Sequence, residues 1–412
     1  MSSMRSFVCT GLVAILALPA VAPTAAAQDW TQWRGPNRDG VAAAFDVPAP
    51  WPDGLRQQWA VEVGSGYATP LLIGERLYLY VRQAEDEVLL ALDPATGETI
   101  WRAAYPAPYQ MNPATNPHGP GPKSTPAYAD GRLFTLGMSG IVSAFDADDG
   151  ELLWQVPGGA VEPLYHTAMS PVVEGDLVIF HVGGHDDGAL TAFDTATGDV
   201  RWSWDGDGPS YGSPLVLDIE GVRQVVTYTQ DNLVGVDVQT GGLLWSRPFT
   251  TAYTTNSQTP IRHGDLLIQS GQGNGVTAFR VLREGDAWTT DDVWHAREVA
   301  LDMTNGVVAD GVLFGLSHLN SGQYFALDLD TGEVLWTGNP RQAQNAAILR
   351  SGATLLSLQD DAALLVLDAS RTGLDVVERY DVADSATWTQ PTLSGNRLFV
   401  KDVSTLTLWT LD

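Results

Sequence analysis

Four residues with metal-binding side chains lie within seven positions of one another: His181, His185, Asp186 and Asp187. Imidazole nitrogens and carboxylate oxygens are ligands for divalent transition metals, so this stretch is a candidate metal site. A hairpin, however, directs successive side chains to opposite faces. The sequence therefore leaves two interpretations open, a metal site and an ordinary polar turn.

Lys123 is the best candidate for contacting an anionic ligand. It follows a rigid Pro/Gly-rich segment that starts at His118, in a chain with 22 Lys and Arg against 49 Asp and Glu and a net charge of −27. So acidic a surface repels nucleic acid and anionic lipid, and we expect neither as a partner. The charge also has an ordinary explanation, because acidic turns keep a secreted protein soluble.

A repeated hairpin motif organises the rest of the chain. Its first copy, residues 91–102, reads Ala-Leu-Asp-Pro-Ala-Thr-Gly-Glu-Thr-Ile-Trp-Arg. The Asp can accept turn N–H groups, and Thr-Gly supplies the positive φ that reverses the chain. The Trp stands at a fixed distance from the turn on the returning strand. Copies with the same Asp-to-Gly spacing end at Trp154, Trp202, Trp245 and Trp336, and degenerate copies end at Trp294 and Tyr380.

The spacing of the repeats predicts an all-β, eight-bladed propeller with four antiparallel strands per blade. Eight Pro- or Asn-containing segments, from Thr69-Pro70 to Gln390-Pro391, recur about every 40 to 56 residues, which is typical of propeller blades. The last blade holds only three strands. We expect the strand around Trp59 to supply its fourth strand and to close the ring. Residues 55–412 then form the propeller, and 28–54 are a lead-in packed on it.

The N-terminal 27 residues resemble a secretory signal. Arg5 precedes the apolar run 7–20, and Ala25-Ala26-Ala27 is a small-residue cleavage pattern. The only cysteine, Cys9, lies in this segment and is not in a lipoprotein-type position. No later apolar run approaches the length of a membrane span. We therefore expect a periplasmic or secreted protein without a lipid anchor or a transmembrane segment.

The loop that leads into each first strand, and the turn between each second and third strand, open on one face of a propeller around its channel. Function usually lies there. Aromatic and hydrogen-bonding groups in these loops can hold an extended ligand or a peptide, or can simply cap the channel and bind water. The candidate ligand-binding residues are Tyr67, His118, Lys123, Tyr165, His166, Tyr211, Asn256, Asn305, His318 and Trp388.

The motif Ala-x-Asp-x-x-Thr-Gly-x-x-x-Trp resembles the repeat of the pyrroloquinoline quinone (PQQ) family of β-propellers, from Trp59 to the C-terminus. The lead-in segment 33–40, Trp-Arg-Gly-Pro-Asn-Arg-Asp-Gly, further resembles secreted bacterial PQQ-like propellers of unassigned function. The resemblance implies that the Trp and Gly of the motif dock one blade on the next. The implied docking residues are Trp59, Trp101, Trp154, Trp202, Trp245, Trp294 and Trp336.

Two branches of this family carry the repeat: PQQ-dependent alcohol dehydrogenases, and a non-catalytic scaffold typified by BamB. The dehydrogenase branch implies a vicinal Cys-Cys disulfide, a calcium ion held by Glu, Asn and Asp, and a catalytic Asp, in longer chains. None of these is found on a matching motif, so no catalytic residue is assigned. We expect a monomeric, cofactor-free binding or scaffold module for a protein, peptide or small-molecule ligand in the periplasm. The alternative is a PQQ-dependent dehydrogenase that uses PQQ with calcium.

Overall fold

Eight four-stranded antiparallel sheets make up the molecule in a computed structural model that describes residues 28–159 and 161–411. The sheets follow one another along the chain as the blades of a β-propeller, which confirms the predicted fold class. The predicted signal segment lies outside the described residues. In the described ranges, no helix has the length and apolar character needed to cross a membrane.

The strand bounds are as follows. Strand β1 is Arg56–Glu62. Blades 1 to 4 are β2 to β17: Leu71–Ile73, Arg76–Gln83, Asp86–Leu92, Thr99–Pro106; Ala127–Ala129, Arg132–Leu136, Val142–Asp146, Leu152–Val156; Val172–Glu174, Leu177–Val182, Ala189–Asp194, Val200–Trp204; Leu215–Ile219, Val222–Tyr228, Asn232–Asp237, Leu243–Pro248. Blades 5 to 8 are β18 to β32: Ile261–His263, Leu266–Ser270, Val276–Glu284, Ala287–Ala296; Val307–Ala309, Val312–Ser317, Gln323–Asp328, Val334–Thr337; Ala346–Ser351, Thr354–Gln359, Ala363–Ala369, Leu374–Asp381; Thr392–Ser394, Arg397–Lys401, Thr405–Thr410.

The ring is closed by the first strand of the chain. Strand β1 pairs antiparallel with β32, with Trp59 opposite Leu408 and Val61 opposite Leu406, so the eighth sheet has the order β1-β32-β31-β30. Pairing the two ends of the chain covers the edge of β32, which would otherwise be open. The predicted closure is therefore present.

The repeated hairpin folds as its residue types require. The Asp93 carboxylate accepts the N–H groups of Ala95 (2.7 Å) and Thr96 (3.1 Å), and Gly97 takes up a φ of +74°. Ala91 lies directly opposite Trp101, and a bulge follows between Ala91 and the next residue. The small residue leaves room for the indole on the same face of the sheet. The motif thus fixes the turn, the register and the position of its Trp.

Contacts between blades use the same motif. The Trp101 indole covers Gly150 of the next blade so closely that a Cβ there would lie 2.6 Å from the ring, and its N–H donates to the Ala147 carbonyl at 3.2 Å. Trp59, Trp154, Trp202, Trp294 and Trp336 make the equivalent N–H bond to the following blade. Trp245 differs, since its N–H donates to Gln224 of its own blade.

A second set of contacts joins the blades around the channel. The hydroxyl of the Ser or Thr that precedes the Pro accepts the N–H of its counterpart in the preceding blade: Thr125 from Thr69, Ser170 from Thr125, and Ser213 from Ser170, each at 3.0 Å. These hydroxyls satisfy N–H groups that have no partner within their own sheet. The Ser/Thr-Pro segments are therefore architectural.

The lead-in runs into the central channel. Trp30 is fully buried, and its backbone N–H donates to the Leu72 carbonyl of blade 1. The Arg34 guanidinium donates to the Gly306 carbonyl of blade 6 (2.6 Å), and that of Arg38 donates to the Pro171 carbonyl of blade 3 (2.7 Å). Because it bonds to blades on opposite sides, this segment acts as an internal brace of the ring.

Candidate functional site

We call the face formed by the leading loops and the turns between second and third strands the upper face, and the opposite face the lower face. Three short 3-10 helices, Pro113–His118, Ala252–Thr254 and Leu319–Ser321, lie in the upper-face loops. They interrupt the otherwise regular repeat. The candidate binding residues from the sequence all lie in these loops and turns. Some of them form partly exposed clusters of aromatic rings, and the others are hydrogen-bonded to neighbouring loops.

One cluster gathers aromatic rings from blades 8, 1 and 2. His118 lies edge-on to Trp388 with 4.5 Å between ring centroids, and edge-on to Tyr67 at 6.3 Å. Tyr67 is buried, and its hydroxyl has no hydrogen-bond partner in the described part of the chain. Trp388 and His118 remain partly exposed. Three sequence-distant residues thus form one surface beside the channel mouth.

A second cluster continues the first across blades 2, 3 and 4. The Lys123 ammonium donates to the Tyr165 carbonyl (3.0 Å), and the Tyr165 N–H donates to the Tyr211 hydroxyl (3.0 Å). His185 lies edge-on to Tyr211, with 3.4 Å between its Nε2 and the hydroxyl. We call Trp388, His118, Tyr67, Lys123, Tyr165, Tyr211 and His185 together the arc.

Burial sets the charge of the arc. It lowers the pKa of Lys123 to about 8, so the amine is mostly charged at neutral pH and easily loses its proton above it. Burial, and then the nearby Lys123 charge, lower the pKa of His118. Burial also lowers the pKa of His185. At neutral pH the arc therefore presents two uncharged imidazoles, aromatic rings and one positive charge.

In the opposite half of the upper face, polar side chains are hydrogen-bonded to backbone groups of the protein. The Asn256 amide is buried and donates to the carbonyls of Thr229 (2.8 Å), Phe249 (3.0 Å) and Gln230 (3.1 Å). The Asn305 side chain accepts the N–H of Thr259, as the Ser and Thr hydroxyls do in other blades. These amides hold the loops in place, and few of their hydrogen-bonding groups are available to a ligand.

Two histidines of the predicted site also form hydrogen bonds within the protein. His166 is buried; its Nε2 accepts the Asn112 N–H (3.2 Å), so its Nδ1 carries the proton and donates to Glu162 (2.6 Å). His318 accepts the Gly273 N–H (3.1 Å) on its Nε2. Both rings serve as loop connectors in this arrangement.

The four metal-ligand candidates do not come together. His181 is buried and its Nε2 donates to the Asp207 carbonyl (3.1 Å), while Asp186 accepts from Gln230 and Asp187 accepts from the Gly184 N–H. No three His, Cys, Asp or Glu side chains in the described ranges could hold a metal ion. In this arrangement His181, Asp186 and Asp187 each bind a different partner within the protein.

Sequence reasoning missed two features. Arg34 and Arg38 of the lead-in reach the channel, although the sequence predicted only that the lead-in packs on the propeller. Glu87 is fully buried and accepts from the hydroxyls of Tyr80 and Tyr105, each at 2.7 Å. Only the two arginines gave a signal, as basic residues in a short Gly/Pro-rich segment.

Comparison with known proteins agrees with the fold and the repeat. The family model described as "Outer membrane protein assembly factor BamB" matches residues 84–338, more than half of the chain. The chain belongs to this family. BamB of Shewanella oneidensis is 23 % identical over 347 residues, which cover 84 % of this chain and 75 % of that protein. The crystal structure of BamB from Moraxella catarrhalis superposes with a TM-score of 0.63 over 86 % of this chain and 97 % of that one, at 17 % identity.

Quinoprotein dehydrogenases share the repeat as well. Subunit 1 of the methanol dehydrogenase of Paracoccus denitrificans is 24 % identical over 322 residues, which cover 71 % of this chain but only 48 % of that protein. A calcium-bound quinone needs converging carboxylate ligands. In the described residues, Asp186 and Asp187 are bound to turns and no acidic cluster converges. This donor set does not fit calcium, so we derive no catalytic step through PQQ.

Proposed function

We propose that this chain is a non-catalytic binding module of the BamB type, which holds an extended segment of a partner protein on the arc. The observation that carries the proposal is the division of the upper face. The arc keeps partly exposed aromatic rings and one amine, whereas the polar side chains opposite are bonded to backbone.

The chemistry of the arc favours a peptide. Aromatic rings such as Trp388 and Tyr211 supply large contact area at low entropic cost, and the backbone of an extended segment can bond to neighbouring polar groups. Lys123 adds a point charge that suits a carboxylate of the partner. A monomer in the periplasm, or secreted from the cell, is the setting that we propose; the relatives' description as outer membrane protein assembly factors supports a partner in the cell envelope.

The test compares co-purification of partners from a periplasmic extract by the full chain and by variants. Trp388→Ala combined with Lys123→Gln should reduce recovery of a specific partner by about tenfold or more, since buried aromatic anchors commonly contribute over 2 kcal/mol. The matched control is Tyr253→Ala, which removes an exposed aromatic ring from the same face outside the arc. Equal loss in both variants, or in neither, would contradict the assignment of the arc.

A titration separates this function from the dehydrogenase alternative. The full chain is titrated with PQQ and calcium while tryptophan fluorescence is followed, and dye reduction is assayed with alcohols. We expect neither saturable binding nor turnover. Quinone binding with turnover would overturn the proposal and establish the enzyme instead.

A further inference from the structure

A cavity of about 500 Å³ lies inside the channel, between the lead-in and the first strands of blades 3 to 6. In the described residues, hydrogen bonds join the lead-in to all blades except blade 4. The cavity lies against that blade, where Leu215 and Val216 form part of its wall. It is therefore a space that the brace leaves open. Its size is in the range of small-molecule sites.

The cavity is rich in positive charge, although the chain as a whole is strongly acidic. Two of its five lining arginines have acidic neighbours: Arg223 pairs with Glu174 through two bonds (2.8 and 3.0 Å), and Arg34 lies near Asp39. The other three have no carboxylate within 4 Å among the described residues: Arg38, Arg262 and Arg350. Excess positive charge thus faces the cavity.

Arg38 is the strongest of these groups. Arg38 is only 5 % exposed. Its Nη1 donates to the Pro171 carbonyl and to the Gln32 side-chain oxygen, its Nη2 donates to the Ser170 carbonyl, and its Nε has no partner in the described residues. The Nε of Arg350 is likewise buried without a partner. Burial lowers the pKa of Arg38 to about 9, which still leaves it charged at neutral pH. A buried guanidinium without a counter-ion is costly, and an anion would relieve that cost.

The opposite wall of the cavity is apolar. It is built by side chains of four first strands: Val172, Leu215, Ile261 and Val308. Arg262 and Arg223 are exposed, and Glu174 is partly exposed, at the lower-face ends of their strands. These residues mark a rim through which a ligand can enter from the lower face.

We propose that this cavity binds a small amphipathic anion, with its carboxylate or phosphate on Arg38 and Arg350 and its apolar body against the strands of blades 3 to 6. A guanidinium N–H can donate to either acid group, and the unpartnered donors here are the Nε of Arg38 and the Nε of Arg350. The site shares no lining residue with the arc and is independent of the function proposed for the arc. The brace and the anion would together fill the channel.

Isothermal titration of the full chain with benzoate, phenyl phosphate and benzyl alcohol tests the proposal. These probes share an apolar ring and differ in the head group. Benzoate or phenyl phosphate should bind saturably, with a Kd of about 1 mM or tighter, and benzyl alcohol at least tenfold more weakly. The stronger of the two anions identifies the preferred acid. Absence of saturable binding by both, or equal binding of the alcohol, would overturn the proposal.

Charge removal locates the site. Arg38→Gln should weaken binding of the preferred anion by about tenfold or more. Since Arg38 also braces blade 3, Arg350→Gln is a second variant with a smaller structural role, and a several-fold loss is expected. The matched control is Arg132→Gln, which removes a positive charge next to the turn between the first two strands of blade 2. This turn corresponds to the turn beside Arg350 in blade 7 but lies outside the cavity. An equal loss in Arg350→Gln and Arg132→Gln would assign the effect to general surface charge and contradict the site.

Discussion

The two halves of the upper face contain similar residue types but use them differently. In the arc, the ring of His118 packs against that of Trp388, and the ring of Tyr211 packs against that of His185. His118, Trp388 and Tyr211 remain partly exposed. In blades 5 and 6, Asn256 and Asn305 bond to backbone groups that lie 7 to 46 residues away in the chain. A polar residue in an irregular loop is thus equally suited to a ligand and to the loop itself. Burial, rather than the residue type, separates the two halves: Trp388 and Tyr211 are partly exposed, whereas Asn256 and Asn305 are buried.

The largest expected effect is on the free energy of unfolding, in the half of the upper face where buried amides hold the loops together. Asn256→Ala should lower the free energy of unfolding by about 3 kcal/mol, because it removes the donor for three carbonyls in a buried loop. Urea unfolding measures the change. Asn274→Ala, which removes one exposed bond to the Thr250 carbonyl, is the matched control and should cost less than about 1 kcal/mol. If both variants lose the same stability, the contrast between the halves is wrong.

The second largest expected effect is a dependence of the free energy of unfolding on pH, caused by His181 in blade 3. Burial lowers the pKa of His181 to about 4, below its unfolded value of 6.5. Between these values the unfolded chain binds more protons, so the contribution of His181 is complete above pH 6.5 and is lost as the pH falls toward 4. From pH 7 to pH 5 the loss is about 2 kcal/mol.

The comparison for this effect is His181→Gln, whose unfolding is measured over the same pH range. The difference in stability between the wild type and the variant should shrink as the pH falls. A difference that stays constant from pH 7 to pH 5 would show that His181 is not buried as an uncharged ring.

The smallest effect is expected inside the arc. Tyr67→Phe should change the free energy of unfolding by no more than about 0.5 kcal/mol, because the buried hydroxyl has no partner to lose. The control is Tyr80→Phe, which removes a buried hydroxyl bonded to Glu87 and Tyr105 and should cost about 1 to 2 kcal/mol. Thermal or urea unfolding distinguishes the two. A large loss for Tyr67→Phe would show that the arc is structural.

The sequence predicted the fold in detail because its determinants are local. The Asp, Gly and Trp of each repeat lie within nine positions and specify a turn, a register and an indole position, as residues 93–101 show. The eight segments that lead into the blades predicted eight blades, and the three-stranded last blade predicted the closure by β1. The degenerate copy that ends at Trp294 also forms a blade, with a longer outer hairpin.

The candidate site was only partly predictable. The sequence identified the upper-face loops and most residues of the arc. It could not separate Asn256 or His166 from them, since their partners, such as Thr229 and Asn112, are chosen by the packing of other loops. The sequence also could not place the metal candidates relative to one another, because the turn directs Asp186 and Asp187 to separate partners.

What the sequence by itself determined is the repeat, its count and the chain-end pairing that closes the ring, because each follows from short-range turn chemistry and strand patterning. Only the tertiary structure decided which polar side chains remain available and that Arg34 and Arg38 enter the channel. Hydrogen-bond satisfaction depends on carbonyls brought close from distant blades, such as Gly306 and Pro171, and no local pattern encodes those neighbours.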